Sequence, residues 1–143
     1  MAADLHTLSG EERRWKQRQL DAVRRFIDEF SPGDIDQPVS LGALDRAVAA
    51  RLAEVALEAA EIDRVAAMAG MAFGEILVQN LGFRWVAVHT ENVSELAVHA
   101  LPGAGDVLIY PLGFTASHLR RRDSEFFKQG YEQIAMHLKS LRG

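Results

Sequence analysis

The stretch GFRWVAVHTENVSELAVHAL, residues 82–101, decides the fold of this chain. From Phe83 to Thr90 and again from Ser94 to Leu101 the hydrophobic period is two, as in a β-strand whose successive side chains point to opposite faces. Between them, Glu91-Asn92-Val93 is short enough for a tight turn. These residues therefore predict a β-hairpin.

The segments around the hairpin extend it into a sheet flanked by helices. Asp106 to Tyr110 reads as a third strand, because turn residues precede it at Pro102-Gly103-Ala104-Gly105 and Pro111 follows it. Helical periodicity covers residues 10–30, 41–81 with a break near 57–60, 112–122 and 124–141. This order predicts an α+β fold: an antiparallel meander of three or slightly more strands, with helices before and after it packed mainly on one face.

Several of the predicted helices carry end signals. Ser9 and Glu12 have the spacing of a capping box, in which each side chain accepts from the other residue's backbone amide. Gly82 is a residue that readily takes the left-handed conformation that closes a helix. We expect Asp123 or Ser124 to cap the last helix.

Length and composition favour one soluble domain over residues 1–143, because 143 residues hold one core and hardly two. The chain has no cysteine, which excludes disulfides, thiolate metal sites and cysteine nucleophiles, and we expect a cytoplasmic location. The polar segment Met1 to Arg14 shows no export signal. The longest apolar run, Val65 to Phe73, is about half of the 18 residues expected of a membrane span.

The charge and the motifs reduce the number of possible functions. The net charge of −4 argues against nucleic-acid binding, and the cluster at Arg120, Arg121 and Arg122 is interpreted as a solvated helix end, with an anion site as the alternative. The five histidines lack the spacing of metal ligands, so no metal is expected. The chain contains no phosphate-binding loop, dinucleotide fingerprint or nucleophile elbow. We therefore expect no cofactor and assign no catalytic residue.

Three short motifs occur in a characteristic order: Gly70-Met-Ala-Phe-Gly74-Glu75, then Leu81-Gly-Phe-Arg-Trp85-Val, then Leu108-Ile-Tyr-Pro111. In this order they resemble an uncharacterised bacterial family, the domain of unknown function 3806. The resemblance covers roughly Leu44 to Arg122. It implies an α+β fold in a bacterial protein, and it implies no activity.

Glu75 has the most informative position among the charged residues. A helical projection places it opposite Phe73 and among Met68, Met71 and Val78. A carboxylate bordered by methionines either keeps its head in water at a surface or is partly buried, where desolvation suits it to acid/base chemistry. Gly70 and Gly74, beside this face, are interpreted as places where another element approaches the helix closely.

The hairpin supplies further candidate binding residues. An even register would pair Val86 and Val88 with Leu96 and Val98 on one apolar face. The opposite face would then carry Phe83, Trp85, His89, Glu95 and His99. Such a face could bind a ring, a cation or a partner's side chain, with core packing of the tryptophan as the alternative.

Two hypotheses about function follow. The first is a non-catalytic interaction or binding module with a homo-oligomer or another protein as partner, because Met68, Met71 and Val78 and the stripe that begins at Phe127 look like surplus apolar faces. The second is a small-molecule-binding domain or small enzyme in which Glu75, Trp85 and either His89 or His99 line one pocket.

Overall fold

Five helices and four strands make up most of the part of the chain that the structure describes. The computed structural model describes residues 4–34, 39–54 and 56–142, so residues 1–3, 35–38, 55 and 143 of the predicted single domain lie outside it. In chain order the elements are β1 (Asp4–His6), α1 (Gly10–Phe30), α2 (Leu41–Glu54), α3 (Ala59–Leu81), β2 (Arg84–His89), β3 (Ser94–Ala100), β4 (Val107–Ile109), α4 (Pro111–Arg120) and α5 (Phe126–Arg142). The α+β class is confirmed. None of the described helices is both long and apolar enough to cross a membrane.

The strands form one antiparallel sheet in the order β1-β2-β3-β4. The predicted hairpin is β2 and β3, and the predicted third strand is β4. The edge strand β1 was not predicted, because its three residues are too few to show a period. Its position follows from pairing with the end of β2, where Asp4 lies opposite His89.

The register of the hairpin differs from the expected one by a single residue. Trp85 lies opposite Val98, and Val88 lies opposite Glu95, so Leu96 and Val98 do not share a face with Val86 and Val88. The loop between the strands has four residues and is closed by a bond from the Thr90 amide to the Val93 carbonyl, 2.8 Å. A shift of one residue moves every side chain of a strand to the other face. The expected grouping of Trp85 and His89 with Glu95 and His99 is therefore wrong.

Helix α3 is the centre of the fold. It packs against α1 and α4 and contacts β2 and β3. One hydrophobic core includes buried residues from all five helices and from β3 and β4. Phe73 and Phe127 are fully enclosed in it and pack against each other and against neighbouring rings. The capping box of Ser9 and Glu12 begins α1, and Gly82, with φ of 76°, closes α3, both as predicted.

The apolar faces that looked surplus in sequence belong to the core. Met68 and Met71 are only 3% and 1% exposed, Val78 is half-buried, and Phe127 and Leu138 are buried against the remaining helices. A helical projection cannot show this, because α3 is covered on several sides by other elements. The Met68–Met71 face therefore offers no free surface to a second copy of the chain.

A buried acid joins two helices that are far apart in the sequence, α2 and α5. Asp45 in α2 is 7% exposed, and its carboxylate accepts hydrogen bonds from the backbone amides of Phe127 (2.9 Å) and Lys128 (3.1 Å) at the start of α5. These amides have no partner within the helix, so Asp45 acts as an N-cap supplied by a distant segment. The expected cap at Asp123 or Ser124 is wrong, since Asp123 bonds to His118 and Arg121 instead.

Burial raises the pKa of Asp45, and the two backbone bonds oppose that rise. A raised pKa in the folded state means that the contribution of this group to stability is fully present below 3.8, its ordinary value, and is lost as the pH rises through the folded-state pKa. As the pH rises from 3.8 through that folded-state pKa, wild type should therefore lose stability relative to Asp45→Asn.

Asp45→Ala should destabilise the fold by about 1 kcal/mol or more, because it removes the cap and leaves buried amides without an acceptor. Urea unfolding at neutral pH measures this loss, and Asp28→Ala, at an exposed position of α1, is the control. Equal midpoints for the two alanine variants would show that the Asp45 contacts do not stabilise α5.

Candidate functional site

The site is built around Gly74, a position of α3 that has no side chain. A Cβ atom at this position would lie 2.5 Å from Cη2 and 2.8 Å from Cζ2 of Trp85. The indole of Trp85, which projects from β2, therefore lies directly against the backbone of α3. One turn earlier, Gly70 admits the backbone of α4 in the same way, since a Cβ there would lie 2.9 Å from the Cα of Leu112. Both glycines are close-packing positions, as predicted.

The indole of Trp85 also reaches Glu75, the next residue of α3. The Nε1 of Trp85 donates a hydrogen bond to Oε1 of Glu75, 2.9 Å, and the Nε2 of Gln79 donates to Oε2, 3.0 Å. Gln79 follows Glu75 by four residues, so the two side chains lie on the same face of α3. Two donors from different elements thus hold the carboxylate in one orientation.

A cation from α1 completes the group. The Nζ of Lys16 lies 3.6 Å from Oε1 of Glu75 and 4.9 Å from the centre of the Trp85 ring. The side chains of Lys16 and Glu75 are 18% and 29% exposed, so the ion pair is largely shielded from water. We call Lys16, Glu75, Gln79 and Trp85 the carboxylate cluster. It joins α1, α3 and β2.

The two hairpin histidines lie elsewhere. His89 is exposed at the end of β2, and its ring centre is 4.4 Å from that of His6 in β1. His99 lies on the opposite face of the sheet from Trp85, with its Nε2 3.0 Å from Oδ1 of Asp106. The Gly103 amide, and next His99, lower the pKa of Asp106. Of the four predicted binding residues, the structure brings together Glu75 and Trp85 and leaves both histidines outside.

A cleft of about 430 Å³ adjoins the carboxylate cluster between α1, α3 and the start of α2. Its apolar lining consists of Leu20, Val23, Val39, Leu41, Ala72 and Ile76, and its polar lining of Gln17, Arg24, Ser40, Glu75, Gln79 and Asn80. Glu75 and Gln79 thus belong to both the cleft and the cluster. Trp85, His89 and His99 do not line the cleft.

Lys16 and Gln17 are the residues that sequence reasoning missed. Both belong to the polar side of α1, and nothing in their spacing distinguishes them from the other polar residues there. Gln79 had a weak signal, because it follows Glu75 at helical spacing. Within the described ranges, no group of three or more histidine, aspartate or glutamate side chains is arranged to hold a metal ion.

Gly74→Ala should destabilise the protein by about 1–2 kcal/mol, since the clash with Trp85 outweighs the gain of ~1 kcal/mol in helix propensity. The emission of Trp85 should change as well, because the ring must move away from Glu75. Gly113→Ala is the matched control: its Cβ would meet only Cβ of Tyr110, at 3.9 Å, so α4 should be unaffected or slightly stabilised. Urea unfolding followed by fluorescence measures both variants, and equal stabilities would contradict the close packing at Gly74.

The motifs that build this site also carry the relation to other proteins. A family model described as a domain of unknown function (DUF3806) matches residues 45–121, which is more than half of the chain. The match includes Gly74, Glu75 and Trp85, whereas Lys16 and Gln17 lie outside it. No curated protein and no solved structure matches the chain. The resemblance seen in the sequence is confirmed: the chain belongs to the family of domain of unknown function 3806.

Proposed function

We propose that this protein is a non-catalytic binding module that holds a small amphipathic molecule in the cleft between α1 and α3. The observation that carries the proposal is the position of Glu75, a carboxylate held by two donors at the edge of a cleft of about 430 Å³. Ligand pockets are commonly about 300–1,000 Å³, mostly apolar, with a few fixed polar groups. The volume of this cleft lies in that range, half of its lining residues are apolar, and Glu75 is a fixed polar group in it.

The lining suggests what the ligand looks like. Six aliphatic side chains supply an apolar surface, while the amides of Gln17, Gln79 and Asn80 can both donate and accept hydrogen bonds. Glu75 is the one carboxylate among the described lining residues, so it selects a ligand group that donates. An apolar body with a donor at one end fits this arrangement.

The orientation of Glu75 also supports binding. Trp85 and Gln79 hold the carboxylate before any ligand arrives, so little conformational entropy is lost when a donor binds to it. Each oxygen of a carboxylate can accept two hydrogen bonds, and Oε2 accepts only the Gln79 bond among the contacts of the described residues. One acceptor position therefore remains for a ligand.

Location and partners belong to the same proposal. A cytoplasmic location stays a prediction from the lack of cysteine, and a bacterial origin stays a prediction from the sequence resemblance. A homo-oligomer or another protein partner stays a prediction, and it requires a surface other than the buried Met68–Met71 face. The absence of nucleic-acid binding also stays a prediction, and it rests on the net charge of −4.

A screen of small amphipathic molecules by thermal unfolding tests the proposal, because a ligand at 100 times its Kd stabilises the folded state by about 2.7 kcal/mol. Gln17→Trp should abolish the shift in Tm, since an indole at this position fills the cleft. Arg18→Trp, on the next and exposed residue of α1, should keep it. Ligands that stabilise both variants equally would show that binding takes place outside the cleft.

A further inference from the structure

The ammonium group of Lys16 has the surroundings of a bound organic cation. It lies over the face of Trp85, 4.9 Å from the ring centre, and 3.6 Å from Oε1 of Glu75. An aromatic face attracts a cation through its quadrupole, and a neighbouring carboxylate adds the opposite charge. Aromatic faces are what proteins use to recognise quaternary ammonium groups such as choline.

The contact that Lys16 makes is replaceable. Its distance of 3.6 Å from Glu75 exceeds the 2.7–2.9 Å of a direct charge-assisted hydrogen bond, so the two groups attract each other without a close bond. The four-carbon stem of lysine is flexible, and the ammonium group of a ligand can take the place of the Lys16 charge beside Glu75. Lys16 can therefore leave when a ligand's cation replaces it, because Glu75 then keeps an opposite charge beside it.

The rest of the site is rigid by comparison. The Trp85 ring is confined by the backbone at Gly74, and its N–H is bonded to Glu75. If Lys16 moves away, the aromatic face and the carboxylate keep their positions. Glu75 also lines the cleft, so a ligand whose body lies in the cleft can place a cationic end beside this carboxylate.

We infer that Glu75 and Trp85 form a site for an organic ammonium group, and that Lys16 occupies this site from within the chain. The ligand class is an amphipathic molecule with an alkylammonium end, and Lys16 competes with it. This inference rests on the proposed function, since the ligand's apolar part would lie in the same cleft. Lys16 then sets the affinity, because any cation must displace it.

Lys16→Met is the decisive variant, because it removes the internal ammonium and keeps a side chain of similar length. Choline is the probe, and 3,3-dimethylbutan-1-ol, which has the same shape without the charge, is the control ligand. Calorimetry should give choline binding to Lys16→Met roughly tenfold tighter than to wild type, and roughly tenfold tighter than binding of the neutral alcohol. In a Trp15→Phe background, where Trp85 is the one tryptophan left, choline should change the fluorescence.

Two further variants assign the effect to the site. Glu75→Gln added to Lys16→Met should reduce choline binding to the level of the alcohol. Arg18→Met, which removes a neighbouring exposed cation from α1, should bind choline as wild type does. A common gain in Lys16→Met and Arg18→Met would overturn the inference, because it would reflect net charge alone.

The outcomes also separate this inference from the proposed function. Choline and the alcohol binding equally to Lys16→Met, while Gln17→Trp still abolishes the binding of screened ligands, would overturn the ammonium site and leave the cleft in place. If Lys16→Met shows no preference for choline over the alcohol and Gln17→Trp does not reduce the binding of screened ligands, both the ammonium site and the proposed function are overturned.

Discussion

The contact between the Trp85 indole and the backbone of α3 at Gly74 is the constraint on which the site depends. Because residue 74 has no side chain, a large ring from the sheet can lie against the helix, and its N–H then reaches the carboxylate of the following residue. The same contact sets the distance between sheet and helix. Packing and hydrogen bonding are thus parts of one arrangement, in which a partly buried aromatic ring has its polar atom satisfied.

Glu75 shows how a carboxylate can be partly buried in a site that keeps some exposure to water. It lies among core residues of α3, yet each oxygen has a partner and a cation is nearby. A charge in such a position requires these contacts, since desolvation without them is costly. The two donors come from α3 and β2 and the cation from α1, so the cluster can form only in the folded protein. Helix α1 supplies Lys16 and part of the cleft although it lies outside the segment that matches the family. The carboxylate cluster and the cleft therefore depend on residues beyond the family segment.

Asp45 and the hairpin register show the same dependence on distant parts of the chain. The amides at the start of α5 are satisfied by a carboxylate more than eighty residues earlier, whereas sequence reasoning chose Asp123 or Ser124 because local caps are the common solution. In the hairpin, a loop of four residues shifted the pairing by one position, which separated His99 from Trp85. In both cases the alternatives were locally equivalent, and contacts with distant residues selected one of them.

Local patterns in the sequence were sufficient for the α+β class, the capping box at Ser9, the end of α3 at Gly82, the hairpin and the role of Gly70 and Gly74 as close contacts. These features depend on the conformational preferences of a few neighbouring residues, which the sequence displays directly. The sequence also singled out Glu75 and Trp85, because a carboxylate among methionines and a tryptophan in a strand differ from the residues usual at such positions. Only the tertiary structure decided that these two side chains meet, that Lys16 joins them, and that His89 and His99 do not. Whether residues 16, 75 and 85 meet depends on how two helices and a strand are placed relative to one another, and that placement results from packing of the whole core.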